Sequence, residues 1–380
     1  MLPEYVPILK TKKGEIDALS KLDTIKANRI LPVFELPAFS RSIREAKRFQ
    51  HQVSPTAAYL NELAEMISSV RRKKRCFVDI RAWAPNTTIE NGEHIINYTY
   101  NRLAHLEVKV DPIINYDFWD DPEYRQAFLS LTLSNDSMLC IRLESDALED
   151  MDDPAYFLDR LEDIIYSVGV AVEKCSVLID FRDVTRSSVV DIQESVEKVL
   201  EVLARLSISY VVMAGCSLSP NVANSVAEIN SSGIVLRKEM IAWKAIKGAK
   251  PGLRLVFGDY GIRNPNVEED IIAPHANGKI RYTISNKYFV IRGHSIQYFD
   301  KGKQCHRLAK ELVESPHYME ENFSWGDEYI KKCSNFEVGP GNSTTWISVD
   351  TNHHITSVVN EVVEFLLHVS SISTFSESST

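Results

Sequence analysis

The stretch CFVDIRAW, residues 76–83, decides how this chain is read. It starts as an apolar strand and ends with Asp79 and Arg81, two residues apart. Residues i and i+2 of a strand point to the same face. An acid and a base therefore share one face at the strand's C-terminal end.

Other runs repeat the device. Asn115 and Asp117 close DPIINYD (111–117), Arg142 and Glu144 close MLCIRLES (138–145), and Asp180 and Arg182 close SVLIDFRD (176–183). Arg237 and Glu239 follow in GIVLRKE (233–239), while Glu35 and Asp259 stand singly near the ends of ILPVFEL (30–36) and LRLVFGDYG (253–261). With YVPILK (5–10) and YVVMAGC (210–216) the strand-like runs number nine. Most are apolar throughout, as suits strands covered on both faces. Segments of helical pattern separate them, such as SPTAAYLNELAEMISSV, which opens on a Ser-Pro start signal.

Strand and helix in alternation predict an α/β fold. Eight units in about 250 residues is the size of a (β/α)8 TIM-like barrel, here over residues 1–262. Nine runs are one too many, and GIVLRKE is read as an extra segment before the closing strand; the opposite assignment is the alternative. A doubly wound sheet is second choice, because no G-x-G-x-x-G follows the first strand. Residues 263–369 read as a C-terminal α+β appendage near the barrel mouth. It holds a hairpin in GKIRYTISNKYFVIRGHSIQ, a helix in QCHRLAKELVES, and a final amphipathic helix. The Ser/Thr-rich stretch 370–380 reads as a disordered tail.

Composition bounds the function. The chain has 380 residues, 43 basic against 52 acidic, for a net charge of −9. Binding nucleic acid mainly through phosphates needs a basic surface, so any such contact is local. RRKKR (71–75) is the candidate, against an ordinary solvated helix end. The six cysteines are scattered without a C-x-x-C, so neither a disulfide framework nor a zinc knuckle is indicated. There is no secretory signal and no run near 18 apolar residues. A cytoplasmic protein without a membrane partner is expected.

In a barrel the strand C-termini face one mouth, where barrel enzymes keep their active sites. Arg81, Arg142, Arg182 and Arg237 would then form a ring of guanidinium groups, braced by Asp79, Glu144, Asp180, Glu239 and Asp259. Such forks suit carboxylate or phosphate oxygens. The expected ligand is a phosphorylated small molecule, nucleotide or nucleic-acid end, also touched by Glu35, Asp117 and Tyr260. Chemistry there would be phosphoester cleavage or transfer, with Asp79, Asp180 or Asp259 as base and His353 or His354 as acid. The two histidines read as neighbours on a strand or loop, one of them facing the barrel. Carboxylate oxygens suit a hard cation, but four arginines argue against a strongly anionic pocket, so a divalent metal is not favoured and the cofactor is left open. The competing reading is a structural salt-bridge network in a non-catalytic sensor or adaptor.

A resemblance adds context. YVPILKTKKGE, PVFELP, VDIR, RKEMIAW, FGDYGIRNP, IRYT, FSWGDEYI and GNSTTWISVDTNHHIT, in this order over about residues 5–360, resemble the bacteriophage "beta protein" family of phages and bacteria. The resemblance implies a barrel-like fold and a setting of phage–host conflict, with a protein partner in a defence operon. It supplies no catalytic residues.

Overall fold

A computed structural model describes residues 2–267, 275–297, 300 and 302–377, with side chains through Ser371. Eight parallel strands close a barrel: β1 (Tyr5–Lys10), β2 (Val33–Glu35), β3 (Arg75–Asp79), β4 (Lys109–Asn115), β5 (Leu139–Leu143), β6 (Cys175–Asp183), β7 (Tyr210–Cys216) and β9 (Leu255–Asp259). The extra segment is β8 (Ser231–Leu236), which leaves the barrel and joins β10 (Asn277–Ile284) and β11 (Lys287–Ser295) in an antiparallel sheet of order β10-β11-β8. The assignment of GIVLRKE as the surplus run and the predicted hairpin both stand.

Each barrel strand is followed, directly or after an insertion, by one main covering helix: α1 (Lys13–Ser20), α2 (Pro55–Arg71), α3 (Ile95–His105), α4 (Pro122–Leu129), α5 (Pro154–Val168), α6 (Val189–Leu203), α7 (Lys238–Ala249) and, last, α10 (Ser343–Glu377). Local chemistry marks their ends. Pro opens α2, α4 and α5, and Asp121 and Asp153 cap the latter two by accepting backbone N–H bonds. Ser188 and Asp191 form a capping box on α6, and Gly169 ends α5 at φ 72°.

Alternation along the strands sorts the core into two layers. Tyr5, Leu9, Phe34, Val78, Ile114, Ile141, Ile179, Met213 and Phe257 face the helices. Val6, Ile8, Val33, Phe77, Ile113, Cys140, Leu178, Val212 and Val256 fill the barrel. Gly258 belongs at the crowded interior, since a Cβ there would lie 2.9 Å from both Val212 Cγ1 and the Val6 carbonyl oxygen.

The last helix departs from the sequence expectation. Ile355, Val358, Val359 and Val362 of α10 sit in the outer core with Tyr5 and Phe257. That helix covers the barrel as its eighth partner, and the appended hairpin, α8 (Gln304–Glu314) and α9 (Trp325–Ser334) are inserted between strand β9 and α10. The helix continues to Glu377, through most of the stretch expected to be a tail (370–380); residues 378–380 lie outside the described residues. His353 and His354 are helical, not on a strand or loop.

Candidate active site at the barrel mouth

The parity that fills the barrel with Phe77, Cys140 and Leu178 also sends Asp79, Arg142 and Asp180 inward, one step nearer the mouth. Arg142 sits at the centre with no exposed surface. Its guanidinium lies 2.7 Å from Glu35 Oε1, 2.5 Å from Asp79 Oδ2, 3.0 Å from Glu144 Oε1 and 2.5 Å from Asp180 Oδ2. Tyr260 reaches the same point, 2.7 Å from Arg142 Nη2 and donating to Asp180 Oδ2 at 2.5 Å. Burial opposes the charge on Arg142, but Tyr260 and the carboxylates outweigh it and hold its pKa well above the ordinary value. Burial raises Asp79, against the pull of Arg142.

This overturns one expectation. Arg142 is not available to a ligand, because its donors are taken by its own carboxylates. The guanidinium stands where those converging oxygens would otherwise hold a cation. Among the described residues no group of three or more His, Cys, Asp or Glu is arranged to hold a metal ion.

The recurring Asp-x-Arg spacing has a local cause. Asp79 Oδ1 accepts the backbone N–H of Arg81 at 2.9 Å, and Asp180 Oδ1 accepts that of Arg182 at 2.8 Å. Asn115 does the same for Asp117 and Asp259 for Gly261. Each side chain folds onto the residue two ahead, an Asx-type turn near the strand's C-terminal end; at Arg81 and Arg182 it lifts the next side chain over the mouth. Arg182 carries this furthest. It has φ 54°, in the left-handed region, within an irregularity in the β6–β7 pairing.

Above the closed network lies a cavity of about 280 Å³, lined by Lys10, Lys12, Arg81 and Arg182 together with Glu35, Ser40 and Ser42. Arg81 donates to Glu144 from Nε at 2.6 Å and keeps 31% of its side chain exposed. Among the described residues Arg182 makes only long contacts, 3.8 Å to Glu144 and 3.5 Å to Asn266. Lys10 and Lys12 were missed as site residues. The signal was the inward parity of Val6, Ile8 and Lys10, followed by Thr11-Lys12.

The remaining sequence candidates lie elsewhere. Asp259 has the parity of Phe257 and faces outward. There it accepts from Tyr5 and binds His354 Nε2 at 3.0 Å, with Arg237 at 3.6 Å. Burial pushes its carboxyl up, but His354 and Arg237 prevail and hold it below the usual range. His354 Nδ1 meets the Thr283 hydroxyl at 2.7 Å, while Nε2 faces the Asp259 carboxylate, to which it donates. Burial lowers the His354 pKa, against the pull of Asp259. His353 lies 2.8 Å from both Asp327 Oδ2 and the Thr283 carbonyl.

Both histidines are fully buried and neither lines the mouth cavity. The expectation that one would face the barrel fails because α10 packs on the outer face. Arg237 begins α7 instead of ending a barrel strand, and bonds Glu361. Glu239, in the first turn of α7, accepts from Ser217. Asp117 lies in a short turn, accepts from the Ala147 N–H at 3.2 Å, and is pushed up to about 6 by burial, Asp146 and Glu144. The expected ring of four arginines is therefore two at the mouth, one sealed below it and one outside the barrel. The three arginines of RRKKR are also engaged: Arg71 with two carbonyls, Arg72 with Glu107, and Arg75 with Asp111 and Asp136.

Fold and site together define an α/β-barrel protein with a cation-lined mouth over a closed Arg–carboxylate network. The sequence model of the Beta protein family matches residues 5–360, and the chain belongs to that family. A comparison with curated proteins found no match. Among the described residues no helix is long and apolar enough to cross a membrane.

Proposed function

We propose that the barrel mouth binds a phosphorylated ligand, a nucleotide or a nucleic-acid end, in the phage–host setting that the family resemblance implies. The observation that carries this reading is the convergence of Lys10, Lys12, Arg81 and Arg182 on one cavity. Four cations against the single carboxylate of Glu35 among the described residues of the lining give the cavity a positive balance in a chain of net charge −9, which favours an anionic ligand there. Arg81 and Arg182 supply forks for oxygen pairs, and the lysines supply point charges. Asp79 and Asp180 are shut behind Arg142. Any phosphoester cleavage or transfer would fall to Glu35 as base, since it is the carboxylate among the described cavity residues.

The competing reading is a non-catalytic adaptor whose network only fixes the barrel, and the saturation of Arg142 by its own partners favours that role for Arg142 itself. A thermal-shift panel of nucleotides, sugar phosphates and 5′-phosphorylated oligonucleotides separates the two. A ligand at about 100 times its Kd adds roughly 2.7 kcal/mol, a shift of a few degrees for a chain of this size. The mouth reading expects a shift that is lost in Arg81→Met and Lys12→Ser. A flat panel, or a shift that survives both substitutions, overturns it.

A further inference from the structure

The appended sheet has a second charged face that the mouth does not use. Along β10, Ile280 and Tyr282 pack toward α8 and α9. The alternate residues Lys279 and Arg281 therefore turn to the barrel side, as the spacing in GKIRYT requires. Between them and the barrel rim lies a cavity of about 380 Å³. Its apolar wall comes from Val222, Ile262, Val290, Trp346 and Ile347, and its charged end from Arg263, Lys279 and Arg281. Asn342 and Ser343, at the start of the long helix α10, complete the rim.

No carboxylate is among the described residues that line this cavity. Behind the lining, Asp350 is engaged by the Arg281 backbone N–H and Nε, each at 3.1 Å. Arg281 is fixed further by donating to the Ile262 carbonyl at 2.9 Å. The Lys279 ammonium, half-buried, has no hydrogen-bond or ion-pair partner among the described residues. An ammonium held there without a direct partner is costly. A concave, largely apolar cavity with a few convergent polar groups is the usual form of a small-molecule site.

We propose that this cleft is a second ligand site, for an organic anion that joins one carboxylate, sulfonate or phosphate to an apolar or aromatic body. The anionic group would meet Lys279, with Arg263 and Arg281 beside it, and the body would lie along Val290, Trp346 and Ile347. The site is separate from the mouth: Pro265 lines the mouth, whereas Arg263 and Asn264 of the same loop line the cleft. Asn264 ties that loop to the Leu218 carbonyl at 2.8 Å, so the wall between the two cavities is itself braced.

The test uses the full chain and two fluorescent probes of nearly equal shape, anilinonaphthalene sulfonate and the uncharged N-phenyl-1-naphthylamine. The sulfonate is expected to saturate one site. Lys279→Met, which keeps the aliphatic stem, should weaken it at least tenfold without lowering the melting temperature. Val222→Trp should block it, and Arg182→Gly at the mouth should leave it unchanged. The proposal falls if Lys279→Met binds as the parent does, if the uncharged probe binds equally well, or if Arg182→Gly abolishes binding. That last outcome would place the probe in the mouth.

Discussion

At the scale of single residues, two arginines of the same motif have opposite fates. Arg142 is bound on all sides, so Arg142→Ala leaves four neighbouring carboxylates without their shared cation. Breaking a buried ion network by removing one partner costs about 3–5 kcal/mol, and urea unfolding at pH 8 should show a loss of that size. The stranded carboxylates then repel one another and bind protons more readily in the folded state. The deficit should shrink as pH falls from 8 to 5; a deficit independent of pH would mean the network is not what was lost. Arg182 is the reverse case. Its φ of 54° suits glycine, so Arg182→Gly should keep stability or raise it by up to about 1 kcal/mol. It should still weaken a phosphorylated ligand at the mouth. A variant that melts earlier and binds normally would contradict both halves of that assignment.

At the scale of elements, the strand runs and their order were legible because apolar runs and helical stripes obey different periods. The inward direction of Glu35, Asp79, Arg142, Asp180 and Tyr260 was legible for the same reason. Asp259 was misplaced by one step of parity: it stands beside Tyr260, and only Tyr260 continues the inward series of Val256 and Gly258. The histidines were misplaced because TNHHIT carries β-branched residues and follows a turn, which masks a helix whose burial is decided by tertiary packing. No local signal in the sequence joins α10 to β1 across more than 300 residues. The Tyr5–His354 contact does so in space, at 3.3 Å. Since α10 serves as the barrel's eighth helix, truncation after residue 342 should abolish cooperative unfolding of the barrel. A separable appendage would instead leave a protease-resistant core of about residues 1–262. Limited proteolysis with near-ultraviolet circular dichroism distinguishes these outcomes.

At the scale of the whole molecule, buried acids of two kinds set the pH dependence of stability. Burial, only partly offset by Arg237, pushes Glu239 up to about 7. Asp111 and Asp350 are pushed up to about 6, also mainly by burial, against Arg75 and Arg281 respectively. The folded state holds protons on these groups that the unfolded chain has released. The stability they contribute is fully present below the ordinary carboxylate pKa of about 4 and is lost as pH rises through 6 and 7. Asp259 and Glu361 go the other way. Burial raises them, but His354 and Arg237 for the first, and Arg237 and Lys244 for the second, hold them low. Their contribution is present above the ordinary range and is lost as pH falls below it. The two sets together place maximum stability near the ordinary carboxylate pKa of about 4, with decline on both sides. Glu239→Gln isolates the alkaline limb. The amide keeps a hydrogen-bonding oxygen for Ser217 and removes the cost of charging a buried carboxyl, worth at most about 3 kcal/mol for a shift of this size. The variant should match the parent near pH 4 and exceed it at pH 8 by about 1 kcal/mol or more in urea unfolding. Equal stability at pH 8 would mean that Glu239 is already ionised against Arg237, and the alkaline decline would then rest on Asp111 and Asp350.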